Sequence, residues 1–419
     1  MTVRFDQIEI KQVGPFGNLL LQFQPSPKPG KAEIHILTGE NGTGKSTILE
    51  LLAGSFNKRI PEEFFAKSRD KSAKAKITFN DNDYLPSERV YDGQTSGLEK
   101  PQFIQDYLSK KSDPESLYSF AVFTYSGYRQ LSNAQINGIQ EISQHPLEDA
   151  LQFQRASNPQ ILLQWLANTI AAEAIAISQN EKEEAASRRK SIATLEEAIG
   201  AIIQKKIAFR LETKPYAVRI EIAGERLDFN QLPDGLKSII SWLGDLLMRL
   251  DRLSWKDDIP ALERSFILFL DEIEVHLHPD WQRKILPAIQ FLFPNAQIFI
   301  STHSPFVVGS VDDAWVYKLV KPNGDSHLAE GFPVPSKDEK TYDYWLELVF
   351  DIDTPYGLNA AKKYERRSEL LRKKEINPRE MEELKELDQD FELFHTQEAP
   401  LNVRIAEHLK RLKSNPSIK

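Results

Sequence analysis

Apolar positions along the chain fall first into strand-like and then into helix-like patterns. Ile8 and Ile10 alternate with polar neighbours, Gly14-Pro15-Phe16-Gly17 supplies a turn, and Leu19 and Leu21 open a second alternating run. That run stops at the Pro- and Gly-rich stretch 24–30. Residues 32–54, AEIHILTGENGTGKSTILELLAG, pass from an apolar strand through a glycine-rich turn into a helix with Ile48, Leu51 and Leu52 on one face. The polar, turn-rich stretch 55–115 reads as a surface elaboration with a short strand at Ala75–Phe79, and a buried strand begins near Ser119. From Asn158 to about Lys206 the period is helical. Leu162, Leu166 and Ile170 form one stripe there, and Ile192, Leu195, Ile199 and Ile202 form another. Alternation returns at Val218, Ile220 and Ile222, before a loop, LDFNQLPDG, that opens a long amphipathic helix. Two near-continuous apolar strands follow, and each ends in a polar tip: FILFL in DEIEVHLHP and QIFI in STHSP. After about Ser336 the chain turns helical and charged, with YDYWLELVFDIDTPYG as an apolar anchor.

Continuous apolar strands separated by helices indicate a parallel sheet covered on both faces. The expected class is α/β: a largely parallel sheet flanked by helices, with an N-terminal antiparallel β part, a short helical insertion and a C-terminal helical region. The expected segments are an N-terminal lobe (1–157), the helical insertion (158–210), a C-terminal lobe (211–335) and the terminal helices (336–419), the last a candidate docking region.

Composition narrows the classes. A length of 419 residues suggests two to three domains, and 41% hydrophobic with 27% charged residues is ordinary for a globular chain. No apolar run approaches the roughly 18 residues of a membrane span, and the N-terminus lacks a secretory pattern. Cysteine is absent, which excludes disulfides, thiolate zinc sites and cysteine nucleophiles. A net charge of −8 argues against a chain-wide basic nucleic-acid surface. The expectation is a cytoplasmic protein without a membrane role.

The chemistry concentrates in three places. Gly39-Glu40-Asn41-Gly42-Thr43-Gly44-Lys45-Ser46, followed by Thr47, fits the phosphate loop G-x-x-x-x-G-K-[ST] at every fixed position. Its glycines let backbone N–H groups curl around phosphates, and the following helix adds positive potential. Lys45 is placed to reach the β- and γ-phosphates, and Ser46 to offer its hydroxyl to Mg²⁺. Asp271 and Glu272 follow a buried strand, where one acid would hold the metal and the other polarise water. His303 stands at the tip of the next strand, suited to sensing a γ-phosphate. His276 and His278 lack an evident third metal ligand and read as part of a loop shaping the site.

Together these residues resemble the ATP-binding-cassette family in its RecF-like and SMC-like branch, over roughly residues 3–320. The arrangement DEIEVHLHPDWQ…STHSP is most similar to PtuA-type ATPases of Septu and retron-associated anti-phage defence. The resemblance implies ATP and Mg²⁺ as ligands, Asp271 as the metal acid, Glu272 as catalytic base and His303 as switch histidine. It places Leu232-Pro-Asp-Gly-Leu-Lys237 at the signature segment, where Gly235 would offer backbone N–H to nucleotide on an opposing protomer. Pro233 replaces the family's serine there, which implies slow hydrolysis. Arg129 and Gln130 would belong to the loop that senses nucleotide between lobes. Phe16 is either an adenine-stacking residue or a core aromatic.

The expected function is ATP binding and hydrolysis by a homodimer that sandwiches nucleotide and controls a separate nuclease or toxin effector. Phage infection, DNA damage or nucleotide depletion would be the trigger. The alternatives are a RecF-like or SMC-like repair ATPase that clamps DNA, and a slow-turnover, nucleotide-locked scaffold or sensor.

Overall fold

The computed structural model describes residues 3–26, 30–57, 73–81, 84–92, 101–111, 116–127, 136–153, 157–322, 324–336, 342–352, 358–373 and 377–397. The chain divides into two compact units, Met1–Phe350 and Asp351–Lys419.

The first unit begins with an antiparallel sheet in the order β2-β1-β4-β5, formed by β1 (Val3–Val13), β2 (Phe16–Gln22), β4 (Lys74–Asp81) and β5 (Tyr84–Asp92). Val3 and Phe5 are buried, and so are Ile8 and Ile10, although the two pairs differ in parity. A register shift against β4 between Phe5 and Gln7 accounts for this, because one extra residue turns both pairs to the same face. The stretch expected as surface elaboration is corrected here. Ala75, Ile77 and Phe79 of β4 are buried between β1 and β5, so the apolar alternation builds a central strand. The helix α2 (Gln102–Lys110) adds Phe103, Ile104 and Tyr107 to the same core.

The second sheet carries the site. Its parallel strands lie in the order β12-β3-β11-β10-β6: β3 (Glu33–Gly39), β6 (Ala121–Tyr125), β10 (Phe266–Leu270), β11 (Ala296–Ser301) and β12 (Trp315–Val320). All residues of β6, β10 and β11 are buried, which is why their sequences run apolar without alternation. Two short strands, β13 (His327–Leu328) and β14 (Val334–Pro335), pair antiparallel with β12. The α/β class read from the pattern is therefore observed. Because β3, β11 and β10 are neighbours and parallel, the chain leaves all three at one edge. That edge is where open α/β sheets place their ligands.

The helix α1 (Lys45–Gly54) leaves β3 and packs on β11 and β6. Helices α3 (Pro159–Ser178) and α4 (Lys182–Ile203) pair with each other and with α5 (Asp234–Arg252), whose apolar face is almost wholly buried. Asn158 caps α3 by accepting from Gln160 N at 3.0 Å. A three-stranded meander, β7 (Ile207–Thr213), β8 (Tyr216–Ile222) and β9 (Glu225–Leu227), connects α4 to α5. Inside the core, Asp245 of α5 accepts from Tyr125 Oη at 2.7 Å and from Arg249 Nε at 2.5 Å, tying α5 to the end of β6. Among the described helices only α3 is long and apolar enough by composition to cross a membrane; its Leu162, Leu163, Trp165 and Leu166 are buried in the protein.

Helix α6 (Pro279–Leu292) follows the acidic loop, and the short α7 (Pro305–Val308) follows His303. The last helix of this unit, α8 (Tyr342–Phe350), docks on α7. Trp345 is buried against Gly309, and the Phe306 and Tyr342 ring centroids lie 5.2 Å apart. Tyr342 Oη accepts from Arg283 Nε at 2.8 Å, and Lys318 Nζ donates to Leu348 O at 3.0 Å. The apolar anchor in the sequence is thus a helix packed on α7, the short helix that follows His303. In the second unit, α9 (Leu358–Arg372) and α10 (Pro378–Gln397) share a cluster of Leu370, Leu384 and Leu387. Arg366 makes a two-pronged pair with Glu383 at 2.8 and 2.9 Å.

Candidate nucleotide-binding site

Residues 39–46 curl from the end of β3 into α1. Gly44 sits at φ +95°, and a Cβ there would come within 2.4 Å of Cζ of Phe16 and 2.6 Å of Cγ of Pro15. Only glycine satisfies both the left-handed backbone and the close approach. Phe16 is buried beneath the loop, so of its two readings the core aromatic is the one observed. Lys45 folds back and donates to the carbonyls of Gly39 and Glu40, each at 2.9 Å, while Thr43 Oγ1 donates to Glu40 O at 2.9 Å. Burial holds the Lys45 pKa below its ordinary value, against the carboxylates of Asp271, Glu272 and Glu274.

The acids stand beside this loop because β10 lies one strand beyond β11. Asp271 N donates to Tyr125 O at 2.8 Å, prolonging the β10–β6 pairing past Leu270. Asp271 Oδ1 accepts from Ser46 Oγ at 3.1 Å, and the Ser301 hydroxyl donates to the same oxygen. Ser301 Oγ also accepts from Glu272 N at 2.8 Å, which fixes the Glu272 backbone at φ +48°. His303 N donates to Glu274 Oε1 at 2.6 Å. The next residue, Ser304, caps α7 and its hydroxyl donates to Gln282 Oε1 at 2.6 Å. Burial lowers the His303 pKa, and the Lys45 ammonium adds to that shift against Glu272 and Asp271. The imidazole is therefore held neutral near neutral pH.

These groups enclose a cavity of about 800 Å³, within the ~300–1,000 Å³ range of small-molecule sites. Asn41, Gly42, Gly44, Lys45, Ser46 and Thr47 line it on one side, and Glu272, Ser301 and His303 on the other. Asp271 stands behind Ser46 and Ser301 rather than on the wall. Gly39, Glu40 and Thr43 shape the loop through its internal hydrogen bonds.

Gly235 is not brought to this cavity. It lies in the first turn of α5, and a Cβ there would meet the His276 carbonyl oxygen at 2.5 Å. The helix start thus rests on the loop after β10. Pro233 and Asp234 just before it are exposed. His278 caps α6, its Nδ1 accepting from Asp280 N at 3.2 Å. Arg129 and Gln130 lie outside the described residues. Sequence reasoning missed Ser301, Glu274 and Gln282, together with the hairpin residues Lys321, Gly324 and Asp325 that also line the cavity. Glu274 was visible as the third acid of Asp-Glu-Ile-Glu; its partner, 29 residues on, was not.

The family model "AAA domain, putative AbiEii toxin, Type IV TA system" matches residues 220–309, which hold the acidic loop and His303. "Retron Ec83 probable ATPase" of Escherichia coli is 30% identical over 164 residues, 39% of this chain and 29% of that protein. "Septu protein PtuA" of Bacillus thuringiensis is 22% identical over 338 residues, 76% of this chain and 78% of that one. The chain is similar to Septu and retron ATPases. It matches less than a third of the length of the retron ATPases. Among solved structures, an SMC head bound to the C-terminal winged-helix domain of ScpA covers 78% of this chain and 96% of its own, at 15% identity and a TM-score of 0.45.

Proposed function

We propose that this chain is the ATP-binding and hydrolysing regulatory subunit of a bacterial anti-phage defence system, working in the cytoplasm. The observation that carries the reading is the meeting of Ser46 and Asp271, 225 positions apart, beside the Lys45 loop and Glu272. A loop hydroxyl and a strand-end carboxylate within 3.1 Å fit a Mg²⁺ shared with phosphate oxygens. Among the described residues no set of three or more His, Asp or Glu converges on one point, so the ion would rest on Ser46, Asp271 and ligand oxygens. When bound, Mg²⁺ neutralises charge on the phosphates.

The remaining work falls to the chain itself. Backbone N–H groups of residues 41–47 and the α1 N-terminus hold the phosphates, and Lys45 exchanges its two carbonyl partners for phosphate oxygens. Glu272 orients a water and takes its proton. Neutral His303, pinned through its own N–H by Glu274, presents its ring to the γ-phosphate.

Two protomers would sandwich nucleotide, with the α5 N-terminus and Gly235 N–H of one facing the phosphate loop of the other. ATP then acts as a ligand of the dimer and shifts assembly by linkage. A separate nuclease or toxin effector is the controlled partner, and phage infection or its DNA is the trigger. One observation favours a slow-turnover sensor as the second reading. Pro233 supplies no hydroxyl, and exposed Asp234, which pairs with Lys237 at 3.2 Å, places a carboxylate at the helix end that would face a triphosphate.

The test is mass measurement and affinity purification with ATP and after its depletion, for the wild type and Lys45→Ala. ATP should raise the mass to a dimer, and Lys45→Ala should stay unchanged. A wild type that binds no ATP, or assembles equally without it, refutes the reading.

A further inference from the structure

One wall of the cavity lies outside the phosphate loop, the acids and the switch histidine. It is made by the Gly14-Pro15 turn between β1 and β2 and by Lys321, Gly324 and Asp325, from the connection between β12 and β13. The two are held together: Ser326 N donates to Pro15 O at 2.8 Å. The turn in its own right abuts α1, since a Cβ on Gly14 would meet Thr47 Cγ2 at 3.2 Å. The wall is therefore continuous from Thr47 of the phosphate-binding helix, across Gly14 and Pro15, to Asp325. Asp325 packs against Gly17, whose missing side chain leaves the space: a Cβ there would lie 2.5 Å from Asp325 Oδ2. Among the described residues, the Asp325 carboxylate has no hydrogen-bond or ion-pair partner.

We propose that Asp325 is the nucleoside-selecting residue of this site, accepting a hydrogen bond from an uncharged donor on the nucleoside. The proposal rests on the nucleotide reading above. A carboxylate would repel phosphate oxygens, so on this proposal the part of the ligand that lies against Asp325 is the nucleoside and not the triphosphate. An ionised carboxylate has acceptors only. It can be satisfied by a ribose hydroxyl or by the exocyclic amine of adenine, and by nothing on the phosphate chain. Gly17 leaves room for the carboxylate, and the Ser326–Pro15 bond holds the backbone next to it against the β1–β2 turn. The phosphate loop recognises phosphates and cannot tell one nucleoside from another, so this wall supplies the discrimination the loop lacks.

Binding of four probes decides the matter: ATP, 2′-deoxy-ATP, the triphosphate of purine riboside (which lacks the amine) and inorganic tripolyphosphate. Asp325→Ala should weaken ATP by about tenfold, the low end for a hydrogen bond to an exposed charged group, and leave tripolyphosphate unchanged. In the wild type, a matching loss on 2′-deoxy-ATP assigns the contact to the ribose, and one on the purine riboside triphosphate assigns it to the amine; both support the proposal. Gly17→Ala keeps the charge but crowds the carboxylate, and should reproduce the loss on ATP alone. Asp325→Ala binding ATP as the wild type does overturns the proposal, as does equal weakening of ATP and tripolyphosphate. A wild type that binds neither ATP nor tripolyphosphate overturns the nucleotide reading itself, which is a different result.

Discussion

Replacing Gly235 by alanine asks whether α5 starts where it does because backbone meets backbone. Two glycines in the same helix make a matched pair. At Gly244 a Cβ would meet Cδ2 and Cδ1 of Leu162 at 3.1 and 3.2 Å, the ends of a side chain that can rotate away. At Gly235 it would meet the His276 carbonyl oxygen at 2.5 Å, an atom of a loop that carries Glu272 four residues earlier. Alanine contributes up to about 1 kcal/mol of helix propensity at an interior position and less in a first turn. Overpacking against an unyielding partner costs about 1–3 kcal/mol. Gly244→Ala should therefore be neutral or stabilising by up to ~1 kcal/mol, with Gly235→Ala ~1–3 kcal/mol below it. At roughly 2 °C per kcal/mol, the melting temperatures should differ by about 2–6 °C. Gly235→Ala should also slow hydrolysis more than it weakens nucleotide binding, because the strain enters through the acidic loop. Equal melting of the two variants would refute the close-approach reasoning and leave Gly235 to a role on an opposing protomer.

Other consequences can be measured directly. Glu272→Gln should bind nucleotide like the wild type while single-turnover hydrolysis falls by about 10²–10⁴, the span of a general base. His303 has a folded pKa below its usual 6.5, so above that value it adds no pH dependence. As pH falls below 6.5 the unfolded chain protonates first and stability is lost until the folded pKa is reached. His303→Gln should flatten that acid-side slope in denaturant midpoints between about pH 5 and 7.5. Trp345→Ala empties a fully buried site and should cost about 3–5 kcal/mol in urea unfolding of the first unit. A cost below about 1 kcal/mol would mean that α8 is not seated on α7 as described.

The phosphate loop was legible because its chemistry is local: glycines at fixed offsets between an apolar strand and a helix. Asp271 and Glu272 were legible because FILFL marks a buried strand whose end must be polar. What escaped depends on which strands are neighbours. The bond from Ser301 to Asp271, and that from His303 N to Glu274, exist because β11 lies beside β10, and the sequence order does not state that adjacency. The same holds for β4. Its alternation was visible at Ala75, Ile77 and Phe79, but its partner is β1, some seventy residues earlier, so the stretch looked peripheral. On β1 the pattern itself misleads, because the irregularity between Phe5 and Gln7 breaks parity within one strand. The signature-like segment makes Gly235 a backbone donor to nucleotide, and its packing role leaves no mark on the local sequence. The carbonyl 2.5 Å from its Cβ position belongs to a loop about forty residues later, and no local spacing announces it.

The Lys45 ammonium already has two partners, the carbonyls of Gly39 and Glu40. Ligand entry is therefore an exchange reaction. A small anion with one or two weak acceptors returns less than the loop gives up, and the lysine stays latched. A polyphosphate brings several charged oxygens at once and tips the exchange. The loop's internal bonds thus weigh against a monovalent anion such as chloride and in favour of ligands that bring several charged oxygens at once.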